Sequence, residues 1–253
     1  MSAKIVECVP NFSEGRDLAK IKVITDAIEA VSGVKLLDVD PGPDTNRTVV
    51  TFVGSPAAVA EAAFRAIAKA AEVIDMRQHR GSHPRMGATD VCPFVPVEGV
   101  TLEECADVAH RVGRRVGEEL GVSVYFYEAA ALDPKRRNLA DVRKGEYEGL
   151  VEKLKDTAWK PDCGPAEFNA QSGATIIGAR EFLIAYNVTL NTKDAAAATD
   201  IAFELREKGR VARAATPSSH PRCCIRRFRS FRKARFTSPL SSVPKAKIRL
   251  ARR

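Results

Sequence analysis

Between Arg77 and Asp90 the chain reads RQHRGSHPRMGATD, which sets two of its four histidines, His79 and His83, among Arg77, Arg80 and Arg85. Imidazole titrates near neutral pH, so it can take up a proton and return it within one catalytic cycle. His83 stands between Gly81-Ser82 and Pro84-Arg85. A glycine that lets the backbone bend and a proline that fixes it would hold one ring in a set position. A solvated loop histidine without a task would carry the same pattern. His79 reads as loop support, His110 as a packing or surface residue within a helical pattern, and His220 has no supporting context.

Other polar groups fall near strand ends. Asp38 and Asp40 are two residues apart, so they share one face of an extended strand, with Leu37 and Val39 on the other. Two carboxylates placed so make either a proton relay or a solvated sheet end. Arg47 follows the turn PGPDTN, where it could grip a carboxylate bidentately or form an exposed salt bridge of little worth. The stretch GPAEFNAQSGATIIG, from Gly164 to Gly178, is rich in small residues; it reads either as close backbone approach to a ligand or as a linker. No phosphate loop ending in Lys-Ser/Thr, no GxGxxG after the first strand and no HExxH occurs. The six cysteines show no CxxC spacing, so no metal is expected; Cys8, Cys92, Cys105 and Cys163, far apart, predict buried, reduced thiols, and Cys223 and Cys224 belong to the tail.

The elements that must position these groups alternate. KIVECVPNF predicts a strand, and Ile21, Ile24, Ile28 and Val31 fall at helical spacing before Gly33. VKLLDVD and RTVVTFVG predict two more strands. Ser55-Pro56 then starts an alanine-rich helix that runs to about Ile74. DVCPFVPV has to be extended, because its prolines forbid a helix. Thr101 and Glu104 form a capping box for a helix that Gly121 stops, and VSVYFYEAA follows as a strand. Residues 132–172 read as loop-rich, with one short helical pattern from Tyr147 to Lys155; EFLIAYNVTLN reads as a long strand and Thr192 to about Lys208 as a helix. This order predicts an α+β sandwich with a mainly antiparallel sheet and helices on one face.

The net charge of +8 hides two compositions. Fifteen of the 40 basic residues and none of the 32 acidic ones follow Glu207, which leaves 25 basic against 32 acidic residues before it, a net of −7. Nucleic acid is therefore not an expected partner, except non-specifically through the basic tail. No apolar run is long enough to cross a bilayer, and MSAKIVECVPNF lacks a signal-peptide pattern, so a cytoplasmic protein without a membrane partner is expected. The Arg/Ser/Pro-rich composition from about Ala212 predicts disorder.

Five blocks in order, VECVPNFSEGR, LLDVDPGPDTNRTVVTFVG, DMRQHRGSHPRMGATDVCPFVPV, LGVSVYFYEAA and GPAEFNAQSGATIIGAREFLIAYNVTL, resemble the formiminotransferase family over residues 1 to about 210. The resemblance implies transfer of a formimino group from N-formimino-glutamate to tetrahydrofolate, in histidine breakdown, with tetrahydrofolate as co-substrate and no metal. It implies a ferredoxin-like subdomain over 1–178, the start of a second over 179–211, and a family tendency to homo-oligomers. It places the catalytic histidine at His83 and its acid at Asp40. It makes Gly164, Pro165, Ala166, Glu167, Phe168, Asn169, Ala170, Gln171, Ser172 and Gly173 the folate-binding segment. Arg47, Arg77, Arg80 and Arg85 become candidate anchors for the carboxylates of the glutamyl substrates. The tail over 212–253 departs from the family pattern; the second subdomain is expected to be truncated there, as a shifted reading frame would produce.

Overall fold

A computed structural model of the chain describes residues 3–190, 194–205 and 246–252. The chain divides into two units, Met1–Glu181 and Phe182–Arg253. The first begins with β1 (Ile5–Cys8) and β2 (Asn11–Phe12), one extended run interrupted at Val9-Pro10. Proline has no N–H to give a ladder, so the run breaks there. The run leads to α1 (Leu18–Glu29), β3 (Val34–Gly42), β4 (Arg47–Gly54), α2 (Pro56–Val73) and β5 (Thr89–Glu98). Asp17 caps α1 by accepting from the amides of Ala19 and Lys20, and Ser55 caps α2 ahead of Pro56. β1 and β2 each pair antiparallel with both β4 and β5, and β3 pairs antiparallel with β4. The spatial order β3–β4–β1/β2–β5 is a split βαβ arrangement.

The sheet continues beyond β5. α3 (Leu102–Leu120) leads to β6 (Ser123–Glu128), and a long connection holding α4 (Leu139–Arg143) and α5 (Leu150–Lys155) returns to β7 (Ala174–Ala179). β7 lies between β5 and β6, parallel to both. The sheet is therefore mixed: the pairings among β1 to β5 are antiparallel, as expected, and the two pairings of β7 add a parallel part that was not. The cause is the connections: β5–β6 crosses over through α3 and β6–β7 through more than 40 residues, and long crossovers leave strands parallel. The capping box on Thr101 and Glu104 is present, and Gly121 ends α3 in a left-handed conformation.

Two cores follow from this. On one face, α1, α2 and α3 bury Ile24, Ile28, Ile67, Val108 and Val116 against Phe52, Phe94, Phe126 and Ile177 of the sheet. On the other face, residues of α4 and α5 close over Tyr125, Tyr127, Val91 and Ile176. Helices are thus not confined to one face; the parallel half of the sheet is covered on both sides, as parallel strands ordinarily are. The ATIIGA segment that reads as part of a glycine loop is the wholly buried central strand β7. Cys8, Cys92 and Cys105 are buried free thiols, and burial holds the Cys8 thiol well above its ordinary range. α3 lies close on β6 because Gly113 faces the Phe126 ring, which a Cβ there would overlap. Gly113→Ala is expected to cost about 1–3 kcal/mol through overpacking, read as a lower urea midpoint with an unchanged slope.

The second unit holds β8 (Ile184–Leu190), α6 (Ala195–Leu205) and β9 (Ala246–Arg252), with β8 and β9 antiparallel. Most of the basic tail, residues 206–245, lies outside the described residues, and so does the disorder expected of it.

Candidate active site

The loop carrying His83 is built against the β3–β4 turn. Asn46 at that turn adopts a left-handed backbone (φ 48°), which asparagine tolerates better than most residues. Its side chain accepts from the Gly15 amide (3.0 Å) and donates to the Arg80 carbonyl (3.1 Å). Gly81 packs so closely on Thr45 that a Cβ would overlap the Thr45 carbonyl. Glycine is needed at 81 for this approach and not for the bend that the sequence suggests. The Ser82 hydroxyl points to the Asp44 carbonyl at 3.5 Å.

His83 is half-buried, and its Nδ1 lies 2.7 Å from the carbonyl of Pro84. A carbonyl only accepts, so Nδ1 carries the proton and the neutral ring keeps its lone pair on Nε2. That is the tautomer a general base needs. His79 is buried and does something else. Its Nε2–H donates to the Asn46 carbonyl (2.8 Å), while Nδ1 accepts from Arg85 Nε (3.2 Å). Burial, and next the Arg85 charge, hold its pKa below the ordinary imidazole value. The unfolded chain therefore takes up a proton near pH 6.5 that the folded chain refuses. This contribution to stability is complete above that pH and is lost as pH falls toward the folded value. A urea midpoint that declines between pH 7 and 5, less steeply in His79→Gln, is the expected result.

The arginines divide between different partners. Asp90, wholly buried at the start of β5, binds Arg47 and Arg143 (Nη2 at 2.7 Å) and accepts from the Met86 amide at 3.0 Å. Arg85 is also buried; it meets Glu148 through both terminal nitrogens (2.8 and 2.5 Å) and Glu146 at 3.2 Å. Its hydrogen bond lowers the pKa of Glu148. Arg77 pairs with Asp75 at the surface, and Arg80 donates to the carbonyls of Arg77 and His79. Arg80, Gly81 and Arg85 line a cleft of about 500 Å³ with Gly145, Glu146 and Glu148. Gly81 and Arg85, two residues to either side of His83, thus lie on one wall of that cleft.

Asp38 and Asp40 do share a face, but a bulge between Leu36 and Asp38 changes the phase of β3. Val34, Leu36 and Val39 pack on the core, and Leu37 is 50% exposed instead of joining Val39. Asp40 is exposed on the strand that leads into the turn supporting the His83 loop. The segment from Gly164 to Gly173 is fixed, not a linker. Ser123 donates to the Pro165 carbonyl (2.7 Å), Asn169 caps the amides of Gln171 and Ser172, and Tyr147 donates to the Ala170 carbonyl. Its end runs beside the exit of the histidine loop, where the Ala88 amide donates to the Ser172 carbonyl at 2.8 Å. The Ser172 hydroxyl is buried with no hydrogen-bond partner among the described residues. Among the described residues no group of three His, Cys, Asp or Glu side chains converges to hold a metal ion.

Asp90, Asn46, Arg143, Glu146 and Glu148 escape the sequence reading. Asp90 had a local signal, an acid closing a polar stretch before an apolar strand. The others lie far away in sequence or in a segment that reads as loop.

A histidine loop beside a charged cleft, at one end of a mixed sheet in an α+β domain, is the class that fold and site define. The profile of the formiminotransferase domain, N-terminal subdomain, matches residues 5–180, and the chain belongs to this family. It is 55% identical over 208 residues to the formimidoyltransferase-cyclodeaminase of Dictyostelium discoideum, covering 82% of this chain and 38% of that protein. It is 52% identical over 206 residues to the glutamate formimidoyltransferase of Thermoplasma acidophilum, 81% of this chain and 68% of that one. For the glutamate formimidoyltransferase of Streptococcus pyogenes the identity is 46% over 207 residues, 82% and 69% of the two chains. The chain thus spans less than half the length of the cyclodeaminase relative.

Proposed function

We propose that the chain transfers the formimino group from N-formimino-L-glutamate to tetrahydrofolate, giving 5-formiminotetrahydrofolate and glutamate. The observation that carries this reading is the tautomer of His83, with Nδ1–H committed to the Pro84 carbonyl, in a chain about half identical to glutamate formimidoyltransferases. N5 of the folate attacks the formimino carbon and a C–N bond forms. The N5 proton passes to Nε2 of His83. The same proton then goes to the glutamate nitrogen as the second C–N bond breaks, so one imidazole serves both halves of the reaction. Asp40, near the turn that supports the loop, stabilises the charged ring electrostatically.

The folate is held along Gly164–Gly173, and the glutamyl carboxylates are met by arginines of the set Arg47, Arg77, Arg80 and Arg85. Of these, Arg80 lines the cleft and donates to backbone carbonyls, whereas Arg47 and Arg85 are engaged with Asp90 and Glu148. We place the first unit in the ferredoxin-like group, on its split βαβ order. A cytoplasmic setting and assembly into homo-oligomers belong to the same reading. The test is a spectrophotometric assay of formimino transfer with the purified chain, beside N-formyl-glutamate as the alternative donor. Turnover with the formimino donor supports the proposal. Folate binding without any turnover points instead to an inactive remnant that serves as a binding or assembly module.

A further inference from the structure

The cleft beside His83 has a chemistry that the anchoring of carboxylates does not use. It is lined by two arginines and two glutamates, so it suits a ligand carrying charges of both signs. Arg85 is largely satisfied within the protein. Its Nε donates to His79, and its two terminal nitrogens reach Glu148 and Glu146. A single guanidinium therefore faces two carboxylates. Glu148 takes the bidentate pairing, whereas Glu146 is joined through Oε2 alone, at 3.2 Å, with its side chain 41% exposed.

The backbone holds Glu146 in this position at a cost. Its φ is 55°, in the left-handed region that side chains disfavour. The conformation is kept by its amide donating to the Arg143 carbonyl (2.8 Å) and by the Tyr147 amide donating to the Arg85 carbonyl (2.8 Å). A strained residue pinned at the mouth of a cleft is a reason to ask what it meets there.

We infer that Glu146 receives the cationic amidine end of the donor, and so sets a preference for a formimino over a formyl donor. This rests on the transferase reading above. An N-substituted formamidine is protonated at neutral pH, and its two N–H groups present a fork that a carboxylate accepts as it accepts a guanidinium. A formyl group has a carbonyl oxygen in place of that NH₂⁺ and carries no charge. Arg80, lining the same cleft, meets the carboxylates at the other end of the donor. Keeping the amidine protonated also keeps its carbon electrophilic toward the attacking nitrogen. A polar site built for a charged donor group discriminates strongly against an analogue that lacks it.

The test is calorimetric titration of the full chain with N-formimino-L-glutamate and with N-formyl-L-glutamate. The wild type is expected to bind the formimino compound at least about tenfold more tightly, the scale of one charge-assisted hydrogen bond. Glu146→Gln is expected to lose most of that preference, with formyl-glutamate affinity changed by less than about twofold. Glu146→Asp keeps the charge in a residue that tolerates left-handed backbone, and should retain a preference. Equal losses for both donors in Glu146→Gln, or no loss for either, overturn the inference while leaving the transferase reading intact. A wild type that binds neither donor overturns both.

Discussion

His83→Ala is expected to lower formimino transfer by at least about a hundredfold while leaving the thermal unfolding of the chain unchanged. His83 stands half-buried on a loop, and its Nδ1 bond to the carbonyl of Pro84 joins residues already adjacent in the chain. What the substitution removes is the lone pair on Nε2 and the route by which the proton crosses from one nitrogen to the other. The loss should fall on kcat more than on KM, because a general base acts chiefly in the transition state. Activity near the wild-type rate in His83→Ala would remove this residue from the mechanism. His79→Gln offers the contrast: its effect should be on the pH dependence of stability, through the bridge from Asn46 to Arg85.

Asp90→Ala is expected to destabilise the first unit by about 3–5 kcal/mol. The carboxylate is 0% exposed, and the side chains it neutralises, Arg47 and Arg143, are only 7% and 13% exposed. Removing it leaves two nearly buried guanidiniums without their counter-charge, which costs far more than the pair contributes when intact. A further loss comes from the Met86 amide, which Asp90 satisfies at the exit of the histidine loop. Asp90→Asn keeps an acceptor for that amide and should fall between the wild type and Asp90→Ala. Urea unfolding of the three chains measures this directly. A change below about 1 kcal/mol in Asp90→Ala would show that water replaces the carboxylate without penalty. The shift in melting temperature should be on the order of 10 °C for a unit of this size.

Much of the fold was legible locally. The caps at Ser55 and Thr101 and the proline-bearing strand β5 are decided by residues a few positions apart. Local chemistry suffices there because turn geometry, caps and proline constraints act within one turn of chain. The reading failed where a decision depends on distant partners. ATIIGA looked like a glycine loop, since six residues carry too little periodicity to separate a buried central strand from a flexible segment. Leu37 reads as sharing a face with Val39 because a bulge cannot be seen in a regular alternation. The antiparallel pairing of the first strands follows the expectation, but the parallel pairings of β7 do not; they come from crossovers whose ends are not marked in the sequence.

By itself, then, the sequence determined most element types of the first unit and the acidic body with its basic tail. These follow from local sterics and composition. Tertiary structure alone decided which arginines are engaged and with whom. Arg47 lies 43 residues from Asp90, and Arg85 lies 63 residues from Glu148. Electrostatic pairing depends on distance in space and on exclusion of water, and neither can be read from chain separation. The fold brings Arg47, Arg77, Arg80, Arg85 and Arg143 to the neighbourhood of one loop with Asp75, Asp90, Glu146 and Glu148, and burial then sorts them into those that hold the protein and those that line the cleft.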